Sequence, residues 1–412
     1  PETLTVIDPA CGSGHILVEA YDLLREIYLE RGYALRDIPE LILKNNLFGI
    51  DIDKRAAQLA TFALAMKAAQ DNPKLLGKTI PVNIINIVES NNMDVDAIAN
   101  TLATRDVPAD TIKSLLDNFE NAQTYGSLIK IKHDLIEKLD DIATMIAKAE
   151  NTNDMIKQEY ANQLKPFVVM GQFLTRKYDA VVANPPYMGY GKYNLELKDF
   201  AIKNYPNSKA DLCAMFMEQA LFLIKDTAFY AMINQQSWMF QSSFEMLRHD
   251  LLHNTICSMA HMGMGAFGAD FGTSAFVIRK TQIKDYIGTY VSLREEKNIE
   301  AKRDLFISGQ NRFYVNEDKF THVPGCLIAY WISDNMQNVF ENSKPLNDIM
   351  SPRQGTSTGN NDLFLRCWHE VNANTIFFDC KNSFESERSN CKWYPVTKGG
   401  DFRKWYGNND YV

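Results

Sequence analysis

Two short stretches of the chain carry residue types whose spacing could do chemistry. One is Ala183–Gly191, "ANPPYMGYG". Pro185 and Pro186 fix the backbone and remove two amide donors, which leaves carbonyl oxygens free to accept. Asn184 adds a side-chain carbonyl and Tyr187 a flat aromatic face. The amide oxygen of Asn184 and the carbonyl of Pro185 would each take one N–H of a planar amine, with Tyr187 stacked on its ring. An aromatic exocyclic amine is a poor nucleophile, because its lone pair is delocalised into the ring. Two acceptors on its hydrogens draw the nitrogen towards tetrahedral geometry and stabilise the positive charge that develops on it. Positioning and electrostatics can then carry a group transfer, with no cysteine nucleophile and no metal. The bland alternative is a rigid Pro-Pro turn with an exposed tyrosine.

The other stretch is "DPACGSGHIL", Asp8–Leu17, between a strand pattern and a helix pattern. Gly12 and Gly14 allow a tight turn and close approach of a ligand to the backbone. The pattern is neither GxGxxG nor a phosphate-binding GK[ST] loop, so a phosphate cradle is disfavoured. Asp8 opens the turn and suits a cationic group, such as the ammonium or sulfonium of S-adenosyl-L-methionine. In "GIDID", Gly49–Asp53, Asp51 stands at a strand tip, where a carboxylate can accept both ribose hydroxyls. Asp53 is expected to cap the next helix, and Ile52 to lie against an adenine ring. The contact to that adenine should follow the third strand. "NIVESN" offers Glu89 and Ser90, and "YGSLI" offers Ser127 and Leu128. The better strand pattern favours Glu89. If the amine belongs to adenine in duplex DNA, the base must be flipped out at a cost of a few kcal/mol. Stacking on an aromatic returns roughly 1–3 kcal/mol. Phe267, in "GAFGADFGTSAFVI", is the candidate for a second aromatic opposite Tyr187.

These turns need elements to hold them. Strand patterns at 3–7, 47–52 and 79–89 alternate with helix patterns at 16–31 and 54–69. That alternation argues for a parallel sheet covered on both faces, a Rossmann-like α/β fold. Residues 94–165 read as an inserted helical segment. The sheet pattern resumes at "YDAVVA", 178–183, followed by a helix at 210–224, a strand at 228–233, a helix at 244–252 and a strand at 274–279. Residues 284–316 are mixed and charged and read as a connection. From about residue 346 the texture shifts towards Gly, Thr, Asn and Trp, which suggests a new domain.

The chain has 412 residues, enough for two or three domains. It is 46% hydrophobic and 23% charged, which excludes bulk disorder. With 43 Lys and Arg against 51 Asp and Glu, the net charge is -8. That excludes a generally basic nucleic-acid binder but allows a local basic groove. Seven cysteines without a CxxC pair argue against a disulfide framework or structural zinc and fit a reducing cytoplasm. No secretory signal opens the chain, and the apolar stretch 212–224 is short and interrupted by Glu218, so no membrane association is expected. The chain starts at Pro1 and ends amid aromatic and basic residues, and reads as a piece of a longer protein.

The motif order resembles that of gamma-type adenine-specific DNA methyltransferases of type I and type IIG restriction systems. It is more closely similar to the PglX-type methyltransferases of BREX phage-defence systems. The resemblance rests on "DPACGSGHILVEAYDLL", "NNLFGIDIDKRAAQLATFALAMKA", "YDAVVANPPYMG" and "KADLCAMFMEQAL", and later on "QGTSTGNNDLFLR" and "YPVTKGGDFRKWYGN". It implies a class I S-adenosylmethionine-dependent methyltransferase domain over 1–93 and 166–290, with a connector over 291–345. A mixed α/β target-recognition domain would begin at 346. It implies Asp8, Ala10, Gly12 and Gly14 at the methionine end of the cofactor, with Cys11 in the same cofactor-binding turn as a small residue that fits. It implies Asp51 on the ribose, and Asn184, Pro185, Pro186 and Tyr187 at the target base, Asn184 also facing the cofactor. The implied partners are double-stranded DNA and other phage-defence proteins. Two departures stand out: the family's cofactor-contacting segment upstream of the glycine turn is absent, and the usual Asp after the third strand is not obvious.

The rival enzyme is a type IIG methylase that also cuts DNA, which a nuclease motif would reveal. A protein-glutamine methyltransferase would also suit NPPY, but such enzymes are short and lack a recognition-like domain. The rival from another class is a module that holds cofactor and DNA without turnover. His249 and His253 lie four apart on a helix pattern, but no third ligand is nearby and no metal site is expected. Arg353, Arg366, Lys398, Arg403 and Lys404, interleaved with Trp393, Trp405 and Tyr406, could contact DNA phosphates and bases.

Overall fold

Val6–Asp8 is a short, fully buried run that forms strand β1 in the middle of a large sheet. The computed structural model describes residues 1–77, 81–266, 271–351 and 358–412. Among these, nine strands join in the order β3-β2-β1-β4-β5-β7-β6-β8-β9. They are β1, β2 (Leu47–Asp51), β3 (Asn83–Asn86), β4 (Tyr178–Ala183), β5 (Ile224–Gln235), β6 (Thr255–Gly263), β7 (Thr273–Arg279), β8 (Ile287–Ser292) and β9 (Arg312–Asn316). β1 to β5 are parallel, and β7 runs antiparallel to both β5 and β6.

The central strands are buried on both faces, and successive residues feed different cores. Val6 and Leu47 belong to one core, with helices α1 (His15–Glu30) and α2 (Lys54–Asp71). Ile7 and Phe48 belong to the other. That second core takes in α3 (Val95–Leu102), α4 (Ala109–Asn118), α5 (Leu139–Glu150) and α6 (Met155–Thr175). Helices α7 (Leu195–Asn204) and α8 (Leu212–Leu223) also contribute to it. Strand order runs outward from β1 to β2 on one side and to β4 on the other. Such a reversal opens a crevice at the carboxyl ends of the two central strands, the usual ligand position in open α/β sheets.

Several expected elements differ from those observed. The connection expected at 284–316 instead holds β8, β9 and the helix Ile299–Ser308. β6 was not expected either, because buried Thr255 and His261 interrupt its apolar pattern. The third strand is shorter than 79–89, and Thr79 and Ile80 lie outside the described residues. The expected end of the insertion at 165 falls inside α6, which continues through Pro166. The chain divides into two units, Pro1–Ser343 and Lys344–Val412. The described part of the second contains short helices, including Ser383–Arg388, and isolated bridges such as Val396 with Tyr411. Arg353 lies outside the described residues. No helix among the described residues is long and apolar enough to cross a membrane.

Candidate active site

The glycine turn leaves β1 at Asp8 and enters α1 at His15. Asp8 is buried, and its Oδ1 accepts the Ala10 amide at 3.0 Å. Burial pushes its carboxyl up to about 7, against the pull of the Ala10 hydrogen bond and with help from the nearby charge of Asp51. Cys11 is buried, and burial beside Asp8 and Asp51 pushes its thiol far up, so it is no thiolate. Its sulfur packs at Gly49, where an added Cβ would lie 3.1 Å from Sγ. Gly12 and Gly14 both have left-handed backbone, φ +53° and +85°. In front of Gly12 there is open space, whereas a Cβ on Gly14 would sit 2.9 Å from the Cβ of Ala60 on α2. Gly14 thus lets α2 pack against the turn, and Gly12 leaves room for a ligand.

Asp51 ends β2. Its Oδ2 accepts the Gly12 amide and its Oδ1 the Asp53 amide, each at 2.8 Å. The two amides lock the carboxylate while leaving a second lone pair on each oxygen. Asp53 caps α2 by accepting the Arg55 and Ala56 amides. Ile52 is exposed.

The second turn leaves β4, the strand on the other side of β1. Asn184 and Pro186 are exposed, Pro185 is buried and Tyr187 is half-buried. The Tyr187 hydroxyl lies 2.7 Å from Asn184 Oδ1 and 2.8 Å from the Ile233 carbonyl, so one proton serves two acceptors. Burial raises the Tyr187 phenol above its ordinary value, with Cys213 and Asp211 adding to the effect. Just beyond the turn, Asp211, the N-cap of α8, accepts the amides of Met188 and Cys213 through Oδ1. The first turn of α8 therefore holds the exit of the Asn-Pro-Pro-Tyr segment.

Both turns open into one cleft of about 350 Å³. Ala10, Asp51, Ile52, Asn184 and Pro186 line it, together with Ser127, Leu128 and Phe216. Glu89, the residue favoured from the strand pattern, does not line it, whereas Ser127 and Leu128 do. β3 stops at Asn86, beside Asp51, and the Ile87 amide bonds to the Asp51 carbonyl, which sends the chain into the core. The chain next reaches the cleft at residues 124–128. Phe216, on α8, is a cleft residue that the sequence reading missed; its heptad-free apolar run looks like core and gives no local signal. Phe267 lies outside the described residues. Phe271, four residues on, meets the Tyr187 ring edge-on with centroids 5.3 Å apart. Among the described residues no group of His, Cys, Asp and Glu is arranged to hold a metal ion.

Residues 45–265 match the Eco57I restriction-modification methylase family. The chain belongs to that family. Over its whole length it is 40% identical to the adenine-specific methyltransferase BrxX of Escherichia coli O9:H4 (strain HS), of which it covers 36%. It is 36% identical, again over its whole length, to the adenine-specific methyltransferase PglX of Lacticaseibacillus casei (strain Zhang), of which it covers 35%. The chain thus spans about a third of the length of these curated relatives. Among solved structures it is similar to a nuclease-deletion mutant of the Type ISP restriction-modification enzyme LlaGI in complex with a DNA substrate mimic. The TM-score is 0.50 at 14% identity, covering 82% of this chain and 25% of that one. At that identity the likeness bears on the fold alone. The Eco57I-family match takes in β2, β4 and both ends of α8, and so the Asp51 and Asn184 walls of the cleft.

Proposed function

We propose that the protein is an S-adenosyl-L-methionine-dependent methyltransferase acting on the exocyclic amine of adenine in double-stranded DNA. One observation carries this reading: the glycine-turn residue Ala10, the β2-tip residue Asp51 and the target-turn residues Asn184 and Pro186 line the same cleft. The residues present fit the cofactor. The free lone pairs of Asp51 could accept from a diol, the space before Gly12 would admit a chain end, and Ile52 and Phe216 would offer apolar surface to a purine. Asp8, once ionised, attracts an ammonium group. When bound, the cofactor supplies a methyl group on a sulfonium, already a strong electrophile.

The chain's own residues then have to present the nitrogen. Asn184 Oδ1 and the Pro185 carbonyl accept its two hydrogens and stabilise charge as it develops. Among the described residues no donor occupies the Pro185 carbonyl. Oδ1 of Asn184 already receives the Tyr187 hydroxyl, which fixes the amide's orientation before the base arrives. Tyr187 offers its ring to the extruded base, and Phe271 closes on its edge. The base relinquishes its stacking in the duplex, and these rings offset much of that cost. By the same reading, methylation marks host DNA in the cytoplasm as part of a BREX-like phage-defence system.

The test is transfer of labelled methyl to DNA by the full-length protein. Asn184→Ala is expected to lower turnover about 100-fold or more, as when a transition-state hydrogen-bond group is lost, while S-adenosylhomocysteine still binds. Wild-type turnover in that variant, or no label on DNA with the unaltered protein, would refute the assignment.

A further inference from the structure

One cleft wall comes from residues 124–128, which lie in the helical segment and not in the sheet. Its grip on the rest of the molecule is concentrated on one side. Gln219, on α8, donates from Nε2 to the Ser127 carbonyl at 2.9 Å. The Tyr205 hydroxyl lies 2.6 Å from the Leu128 carbonyl and 2.8 Å from Gln219 Oε1. Gln219 and Tyr205 are both fully buried. Around them, Tyr125 stacks flat on Phe200 of α7, with centroids 4.2 Å apart and 10° between planes. Lys130 Nζ sits 4.0 Å from the Tyr205 ring centroid and bonds to Glu218 at 3.0 Å. On its other side the wall meets the glycine turn, where the Ser127 hydroxyl donates to the Pro9 carbonyl. At Gly126 it comes close enough to Ile52 that a Cβ would lie 3.1 Å from the isoleucine Cγ2.

Two consecutive buried carbonyls are thus satisfied by two side chains that reach no other part of the cleft. A buried carbonyl left without its donor is costly, so the wall would shift to find water or another partner. Neither side chain lines the cleft, so neither can touch the reacting atoms. We propose that Tyr205 and Gln219 are positioning residues for the cofactor: they hold Ser127 and Leu128 against the space where its adenine lies. This rests on the function proposed above. Because Asp211 caps the same helix eight residues before Gln219 and binds the Met188 amide, α8 ties the cofactor wall to the target turn.

The test uses the full-length protein, with calorimetric binding of S-adenosylhomocysteine and steady-state methylation of DNA. Tyr205→Phe and Gln219→Leu are each expected to weaken S-adenosylhomocysteine and raise the KM for S-adenosylmethionine about tenfold, the loss of one buried hydrogen bond. At saturating cofactor, kcat should stay within about twofold, since the target turn is untouched. The double variant should lose much less than the product of the two single effects, because both act on one wall. Tyr205→Phe keeps the ring and its packing, so it serves if Gln219→Leu does not fold. Unchanged affinity in Tyr205→Phe overturns the proposal, as does a fall in kcat with KM unmoved. If the unaltered protein binds no S-adenosylhomocysteine, the proposed function fails and this inference with it.

Discussion

Asp51 meets the cleft with both oxygens already held by backbone amides, so it needs no rearrangement to receive a ligand. Asp51→Ala should weaken S-adenosylhomocysteine by roughly 1.5–3 kcal/mol, the range for lost charged hydrogen bonds; calorimetry at constant pH reads it directly. Asp8 behaves differently, because burial raises its carboxyl from 3.8 to about 7. In the unfolded chain that proton leaves at the lower value. The free fold therefore holds the proton more tightly. The stability this brings is complete below the unfolded value and is lost as pH rises through about 7. A ligand ammonium favours the ionised carboxylate, so the sign for binding is opposite. S-adenosylhomocysteine affinity should rise severalfold, at most about tenfold per unit, between about pH 6 and 7, then level off. Asp8→Asn should flatten that profile. Both carboxylates stand out in the sequence by strand-tip position and residue type, and of the two only Asp51 lines the cleft. The proton affinity of Asp8 was not legible there, since burial depends on what packs over the turn.

The glycine turn shows how an element constrains its neighbour. Gly14 has left-handed backbone and also lies against Ala60, while Gly12 has only the backbone requirement. Gly12→Ala should therefore cost about 1–2 kcal/mol of stability, the left-handed penalty alone. Gly14→Ala adds an overpacked contact worth about 1–3 kcal/mol and should lower the melting temperature distinctly more. Equal shifts in the two variants would argue against the α2 contact as the reason for Gly14. The strand–turn–helix order from β1 to α2 could be read from sequence because each piece follows its own periodicity. β6, β8 and β9 could not, because their polar positions are covered by distant segments. Lys302, for example, reaches back to the Met262 and Leu293 carbonyls.

For the whole molecule, the net charge of -8 means that any attraction for DNA has to be local. In the second unit, Phe402, Trp405 and Tyr406 are strongly exposed beside Arg403 and Lys404. If this segment meets the phosphate backbone, an Arg403→Ala/Lys404→Ala double variant should weaken DNA binding. It should also flatten the log–log salt slope by up to about 2, near 0.9 per lost phosphate contact. Cofactor affinity should be unchanged. A salt slope equal to that of the unaltered protein would remove these two residues from the interface.

Residue types and short spacings by themselves determined the two turns, the α/β class with its parallel β1–β5 portion, and the chemistry each turn can support. Those properties come from local backbone stereochemistry and side-chain functional groups, which are written within about ten residues. Only the tertiary structure decided that β1 and β4 are neighbours, so that Asp51 and Asn184 share a cleft. It also decided that Ser127 and Leu128, and not Glu89, form the wall there, and that Phe216 on α8 faces inward. Strand order and the path of an inserted segment are set by burial summed over the whole core. No local pattern encodes that sum.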